Sequence, residues 1–329
     1  MKKYGKWIVL FVSLILVFSM LYVCASEQPA PPLKFTISAG AVGNNVHMLA
    51  AFLANKIVLE RPGSTITAMA GGMGPNPKLV GQGVVEFGVT SSNLFDWAVA
   101  GKWLYDQPYD LYSVANLTGP GAYYFMVKES TGLTSIQQMI DEHYPLKFAT
   151  FVRGGSPEVS THQLFDEYGV TYEDIESWGG RVEFMQWTDA ISYLRDGHID
   201  ALLGSTAVPS AFHAEFASFT KTRILPLDQN IIDNMCKKYG YEPFNFPVGL
   251  FGIVTEEIPT FGYTQVLFTN GDVSEDSVYT LTKTIYENAS EIPTVHNSYK
   301  EFRTDIMPNV PGKLHPGAER FYKEVGLIK

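Results

Sequence analysis

Two thirteen-residue stretches of the chain, residues 80–92 (Val-Gly-Gln-Gly-Val-Val-Glu-Phe-Gly-Val-Thr-Ser-Ser) and 194–206 (Leu-Arg-Asp-Gly-His-Ile-Asp-Ala-Leu-Leu-Gly-Ser-Thr), align without a gap. The alignment matches Gly83 with Gly197, Glu86 with Asp200, and Ser91-Ser92 with Ser205-Thr206. Each reads as a helix ending at glycine, an acidic residue, a short buried strand, and small hydroxyl residues just past the strand's carboxyl end. About forty residues before each lies a second shared pattern of strand, glycine loop and helix. In the first copy, strand-like residues 34–38 lead through Gly40-Ala-Val-Gly-Asn-Asn45 to a helix with Val46, Leu49, Ala50, Leu53 and Ile57 on one face. In the second, residues 146–151 lead through Arg153-Gly-Gly-Ser156 to a helix starting at Pro157, a residue suited to a first turn, with Glu158 matched to the dipole. A chain written twice in this grammar is expected to build two α/β lobes with parallel strands.

Ligands of such sheets bind outside the carboxyl ends of the strands, so a cleft shared by the two lobes is the expected site. Lobe 1 is expected to take residues 34–128 and 250–329, and lobe 2 residues 129–249. Ser274-Glu-Asp-Ser277, an N-cap with an acidic first turn, and the helical face Val278, Leu281, Ile285 and Ala289 support the chain's return to lobe 1. The candidate ligand residues are Asn44, Asn45, Gly155 and Ser156 in the glycine loops, and Ser91, Ser92, Ser205 and Thr206 in the hydroxyl loops. Backbone N–H groups at a helix start can hold a carboxylate. Arg153 is the one cation inside a predicted site loop, and its fork can hold a carboxylate bidentately. His47, one position into the first helix, either caps the cleft or packs against it. Tyr123-Tyr124 and Phe244-Asn-Phe246, near the crossovers, are either cavity wall or core. Gly71-Gly-Met-Gly-Pro75 reads as a turn before a helix whose small residues permit close approach of a ligand.

The 329 residues carry 24 Lys+Arg against 34 Asp+Glu, a formal charge of −10. Lys2, Lys3 and Lys6 are the only charges in the first 25 residues, so the remainder stands at 21 against 34, or −13. That balance argues against nucleic acid, whose binding rests on Lys and Arg neutralising phosphates. Neither G-x-G-x-x-G nor G-x-x-x-x-G-K-[ST] is present to hold a nucleotide. No G-x-S-x-G elbow occurs, and the seven histidines lack zinc-site spacing, so no catalytic residue, metal or cofactor is expected. Ser218-Phe-Thr-Lys221 does fit S-x-x-K, but no S-D-N or K-T-G follows, which leaves an exported serine acyl-transfer hydrolase as an alternative. Cys236 reads as a plain buried or half-buried thiol.

The three early lysines precede an uncharged apolar run over residues 7–23, followed by Cys24 and a turn-prone segment. Residues 1–25 read as an export signal and residues 26–33 as a linker. Three readings stay open: a cut before Ser26, a lipoprotein box at Leu21-Tyr-Val-Cys24 with a membrane tether through Cys24, and an uncleaved anchor. All three place the folded part outside the cytoplasm, in the periplasm.

From Phe35 to Gly326 the chain resembles the TAXI class of solute receptors of tripartite ATP-independent periplasmic (TRAP) transporters. The resemblance rests on the two repeat stretches together with Ala207-Val-Pro209, Leu225-Pro-Leu-Asp228, residues 272–288 and Leu314-His-Pro-Gly-Ala-Glu-Arg320, in this order and spacing. It implies a two-lobe periplasmic binding fold of type II that closes on an amino acid or organic acid, such as glutamate or a keto-dicarboxylate. The implied partner is a membrane permease driven by an ion gradient. By position, the family's ligand loops fall on Asn44 and Asn45, on Ser91 and Ser92, and on Gly155 and Ser156. Where the family reads glycine, threonine and two tyrosines, this chain has Asn44, Asn45, Val46 and His47; Ser91-Ser92-Asn93 replaces Gln-Ser-Asp, and Ser156-Pro157 replaces Gly-Thr. These departures point to an altered, less polar ligand. The same fold could also serve as the ligand-sensing partner of a membrane kinase.

Overall fold

Lys34–Ser38 (β1) alternates apolar Phe35 and Ile37 with polar residues, and both apolar side chains are buried. In the computed structural model, which describes residues 30–329, β1 pairs in parallel with Thr65–Met69 (β2) and Phe87–Ser91 (β3). The expected signal, Cys24 and the first part of the linker lie outside the described residues. Leu111–Lys128 (β4) then crosses the molecule. Beyond it, Lys147–Thr150 (β5) pairs in parallel with Arg181–Phe184 (β6) and Ala201–Ala207 (β7), repeating the arrangement of β1 with β2 and β3. Thr222–Ile224 (β8) and Glu242–Phe246 (β9) follow, and Ile258–Asn270 (β10) crosses back.

The sheet has ten strands in the order β2-β1-β3-β10-β4-β7-β5-β6, with β8 on β4 and β9 on β10. Read inward from either edge, each half presents its second strand, first strand, third strand and then a crossing strand. The sequence repeat is therefore a repeat of topology: residues 80–92 end in β3, and residues 194–206 end in β7. The fold is a mixed α/β architecture of two lobes. The first part of β4 pairs with the last part of β10, and its second part pairs with β7 and β8. β10 in turn pairs with β9 early and β3 late, with a register shift between Tyr263 and Gln265. Partners thus change inside the two long strands, near residues 118–121 and 263–265.

The helices follow their caps and periodicity. Helix Asn45–Glu60 buries Val46, Leu49, Ala50, Leu53 and Ile57, and the Asn44 side chain accepts the His47 N–H at 2.9 Å. Helix Ser156–Tyr168 opens one residue before Pro157, with Glu158 in its first turn. Ser274 caps helix Glu275–Glu287, and Val278, Leu281 and Ile285 are buried.

The alternation of β4 sorts the core into faces. Tyr123, Phe125 and Val127 enter a cluster that also holds Trp97 and Tyr105 from before β4 and Tyr239, Tyr241 and Phe261 from after it. On this face the lobes share one continuous core, and Trp97 Nε1 donates to the Tyr239 carbonyl at 2.7 Å. Ala122, Tyr124 and Met126 point the other way, into a cluster they share with residues between Ala149 and Val254, while Leu49, Val89 and Leu267 belong to a separate one. On that second face the lobes keep separate cores, and the cleft opens between them.

Candidate functional site

The cleft encloses a cavity of about 600 Å³, lined by the loops that follow β1, β2, β5, β6 and β7. All five lie at the carboxyl ends of parallel strands. Of the residues expected from sequence, Asn44, Asn45, Arg153, Gly155, Ser156, Ser205 and Thr206 line it.

His47, Ser91 and Ser92 are not among the lining residues. His47 is half-buried on the first helix, its backbone N–H taken by the Asn44 cap. Ser91 is buried as the last residue of β3, paired with Gln265. Ser92 faces the opposite side of the sheet, where its hydroxyl donates to Glu242 Oε1 at 2.8 Å and accepts the Thr264 N–H at 3.3 Å. The equivalent hydroxyl residues of β7 reach the cleft, although Ser205 Oγ also bonds Ser160 Oγ at 2.9 Å.

The first-lobe wall is held by Asn76, which is fully buried. Its Nδ2 donates to the carbonyls of Ser38, Ala39 and Val89 at 3.1, 2.8 and 2.7 Å. Its Oδ1 accepts from Ser38 Oγ at 2.8 Å and from the Gly72 N–H at 3.1 Å. One carboxamide thus locks the loops after β1 and β2 to each other. A Cβ on Gly71 would run into Ser38 Oγ and Asn76 Oδ1, so the close approach requires glycine there.

In the second lobe the Arg153 guanidinium lies 3.7 Å from the centroid of the Phe184 ring, a cation–π contact that orients it at the cleft. Behind it, the buried Glu158 accepts the Gly154 N–H at 3.0 Å and the Tyr172 hydroxyl at 3.3 Å. Phe151 and Trp187, ring centroids 5.5 Å apart, form an apolar wall. His213 packs behind Trp187, stacked on Tyr124 at 4.0 Å, with Nδ1 bonded to Ser210 Oγ at 2.8 Å. Complete burial pushes its ring down to about 3, so it is a neutral packing residue.

Tyr263 and Gln265 of β10 form the floor. Gln265 is buried, and its Oε1 accepts from the Tyr299 hydroxyl at 3.1 Å. Asn45 Nδ2 donates to Ser298 Oγ at 3.0 Å, so a segment from near the chain's end fixes both residues. Burial raises the phenols of Tyr263 and Tyr299 above their ordinary range, keeping them neutral donors.

Arg153 is the only Lys, Arg or His among the lining residues, and none of them is Asp or Glu. The long helices starting at Asn45 and Ser156 both open at the cavity, adding positive partial charge. The arrangement suits a small anion.

Sequence reasoning passed over Phe151, Trp187, Leu104, Tyr263 and Gln265. Trp187 follows β6 as the Gly71 loop follows β2, so extending the internal repeat one strand further would have found it. Tyr123 and Tyr124 are core, not cavity wall. Ser218 Oγ donates to the Glu215 carbonyl at 2.7 Å, and no hydrogen bond joins Ser218 to Lys221 among the described residues. Cys236 is half-buried, and desolvation pushes its thiol up to about 11. No group of His, Cys, Asp and Glu among the described residues could hold a metal ion, and no helix among them is long and apolar enough to cross a membrane.

Two α/β lobes joined by a pair of long crossing strands, with a cleft at the strand ends, have the architecture of the periplasmic solute-binding proteins. The chain belongs to the NMT1-like family, whose model matches residues 37–326. Among solved structures it is similar to a TctC solute-binding protein from Polaromonas, at 15% identity over 84% of this chain and 88% of that chain, with a TM-score of 0.53. It is also similar to PhnD1 from Prochlorococcus marinus in complex with methylphosphonate, at 10% identity over 90% of this chain and 100% of that one, again with a TM-score of 0.53.

Proposed function

We propose that the protein is an extracytoplasmic receptor that captures a small organic acid or amino acid in the cleft and delivers it to a TRAP-type permease. The observation that carries this reading is the cleft itself: two helix starts and one arginine converge at strand ends, with no acidic side chain among the lining residues. Binding without chemistry fits a lining that pairs no nucleophile with a base. Methylphosphonate in PhnD1, a small anion in a related fold, is consistent with such a ligand. The TRAP partnership rests on the TAXI-like motifs, and the location on the signal-like residues 1–25.

In place of the expected bounds, residues 34–128 with 250–329 against residues 129–249, we propose that the lobes divide at the partner changes in β4 and β10, near residues 118 and 265. Closure would pivot on the shared aromatic core behind the sheet and bring Arg153 and Trp187 toward Asn45. A ligand that contacts both lobes gains affinity in the closed state and so shifts the population toward it.

The test is a thermal-shift screen of the chain from Ser26 onward against organic acids and amino acids. Ligand at 100 times its Kd adds about 2.7 kcal/mol to stability, enough to move the midpoint by several degrees. Protein unfolded, stripped and refolded that stays silent across a wide library would sink the receptor reading.

A further inference from the structure

Resting on that receptor reading, we infer that the ligand is a monocarboxylate with an apolar body and no amino group, rather than an amino acid or a dicarboxylate. Asn44, Gln265 and Arg153 present donors to the cleft, while Asn45, whose Nδ2 is taken by Ser298 Oγ and the Tyr299 hydroxyl, adds one neutral acceptor, its Oδ1. Asn44 Oδ1 accepts the His47 N–H, which leaves Nδ2 as that side chain's remaining group. The Tyr299 hydroxyl donates to Gln265 Oε1, so the free group of this buried carboxamide is its Nε2, which has no acceptor among the described residues. Arg153 adds only donors. A donor-rich cavity wants acceptors, and carboxylate and keto oxygens supply them.

An ammonium group would find no opposite charge. No lining residue is acidic, and the nearby carboxylate of Glu158 is buried and occupied by the Gly154 N–H and the Tyr172 hydroxyl. Bringing an ammonium out of water without an anionic partner is strongly unfavourable.

A second carboxylate is disfavoured by the same Glu158. Its negative charge, in the first turn of the helix that follows Arg153, works against a second anion, and it takes the Gly154 N–H that would otherwise hold one. Pro157 offers no N–H at all. One negative charge is therefore matched, by Arg153 with the donors of the first lobe, and a second is not. The rest of the wall is apolar: Phe151, Val152 and Trp187 from one lobe, Met73 and Leu104 from the other.

Calorimetry with ligands that share a carbon skeleton tests this directly. The probes are 4-methylpentanoate, 4-methyl-2-oxopentanoate and leucine; phenylpyruvate and phenylalanine; and glutarate and 2-oxoglutarate. The branched or aromatic acids should bind at least tenfold tighter than the matching amino acids and than the dicarboxylates. Leucine, phenylalanine or either dicarboxylate binding as tightly as the best monocarboxylate overturns the inference while leaving the receptor standing. Silence of every probe and of the wider screen overturns both.

Two variants separate ligand recognition from simple damage. Gln265→Glu replaces the donor by an acceptor of the same shape, and should cut monocarboxylate affinity at least tenfold while narrowing the gap to the amino acid. Glu158→Gln removes the negative charge, and should improve dicarboxylates relative to monocarboxylates severalfold. Equal weakening of all probes by both variants would mean a structural role only, and overturns the inference.

Discussion

The cleft and the cavity behind the sheet are nearly equal in size, about 600 and 640 Å³, and residues of one strand reach both. Tyr263 and Gln265 of β10 line the front cavity and Thr264 the back one, at the register shift in that strand. Their chemistry is opposite. The front is lined by one arginine and no acid, the back by Asp96 and Glu242 and no Lys, Arg or His. The front lies where the lobes keep separate cores, the back where their cores are continuous. Volume therefore does not pick the site. What separates the two is the sign of the charge, the strand ends, and whether the cores on that face are separate or continuous.

The largest effect expected on this contrast comes from Asn76, which organises the front alone. Asn76→Ala would leave the carbonyls of Ser38, Ala39 and Val89 without their donor, for a loss of about 4 kcal/mol of stability at ~1–3 kcal/mol per buried unsatisfied group. Urea denaturation measures it. A loss as large from Glu242→Gln at the back would break the comparison.

His213 should give the front wall a pH dependence. Its ring is held neutral in the fold, at about 3, while in the unfolded chain it takes up a proton below about 6.5. Its contribution is present above pH 6.5 and is lost as pH falls, by at most ~1.4 kcal/mol per unit. His213→Phe should flatten that slope between pH 6.5 and 5 in denaturation curves. An unchanged slope would place the acid sensitivity elsewhere.

Arg153→Gln comes next. A hydrogen bond to a charged group contributes ~1.5–3 kcal/mol, so anion affinity should fall roughly ten- to hundredfold with stability little changed. An unaltered Kd by calorimetry would show Arg153 to be a surface residue stacked on Phe184.

How far the sequence carried depended on whether a feature repeats. The strand, glycine loop and helix grammar occurs twice, so β1, β3, β5, β7 and their loops were legible, with Asn44, Asn45, Arg153 and Ser156 among them. The same repeat misled at Ser91 and Ser92. They match Ser205 and Thr206 residue for residue, yet β3 lies beside β10 with its end against Glu242 and Thr264, and Ser92 is drawn to the back. Tyr263 and Gln265 were not legible because a crossing strand's two faces are both buried, so alternation leaves no polar and apolar pattern to read. The aromatic pairs near the crossovers carried no signal to tell a shared core from a cavity wall.

The smallest effect belongs to the back cavity, and it sharpens the comparison most. The Asp96 carboxyl is raised, first by desolvation and then by the negative charge of Glu242. A carboxyl whose pKa is higher in the fold contributes fully below its unfolded value, about 3.9, and loses that contribution as pH rises through the folded one. At neutral pH the ionised Asp96 is therefore a mild burden, kept small because its side chain is largely exposed. Asp96→Asn should raise stability at pH 7 by less than about 1 kcal/mol, with the gain vanishing below pH 4. Ligand affinity should change by less than about threefold, since neither carboxylate reaches the front. A loss or gain of affinity as large as that from Arg153→Gln would mean instead that the contacts of Glu242 with Ser92 and Thr264 bias the opening of the lobes, and that the two cavities act as one device.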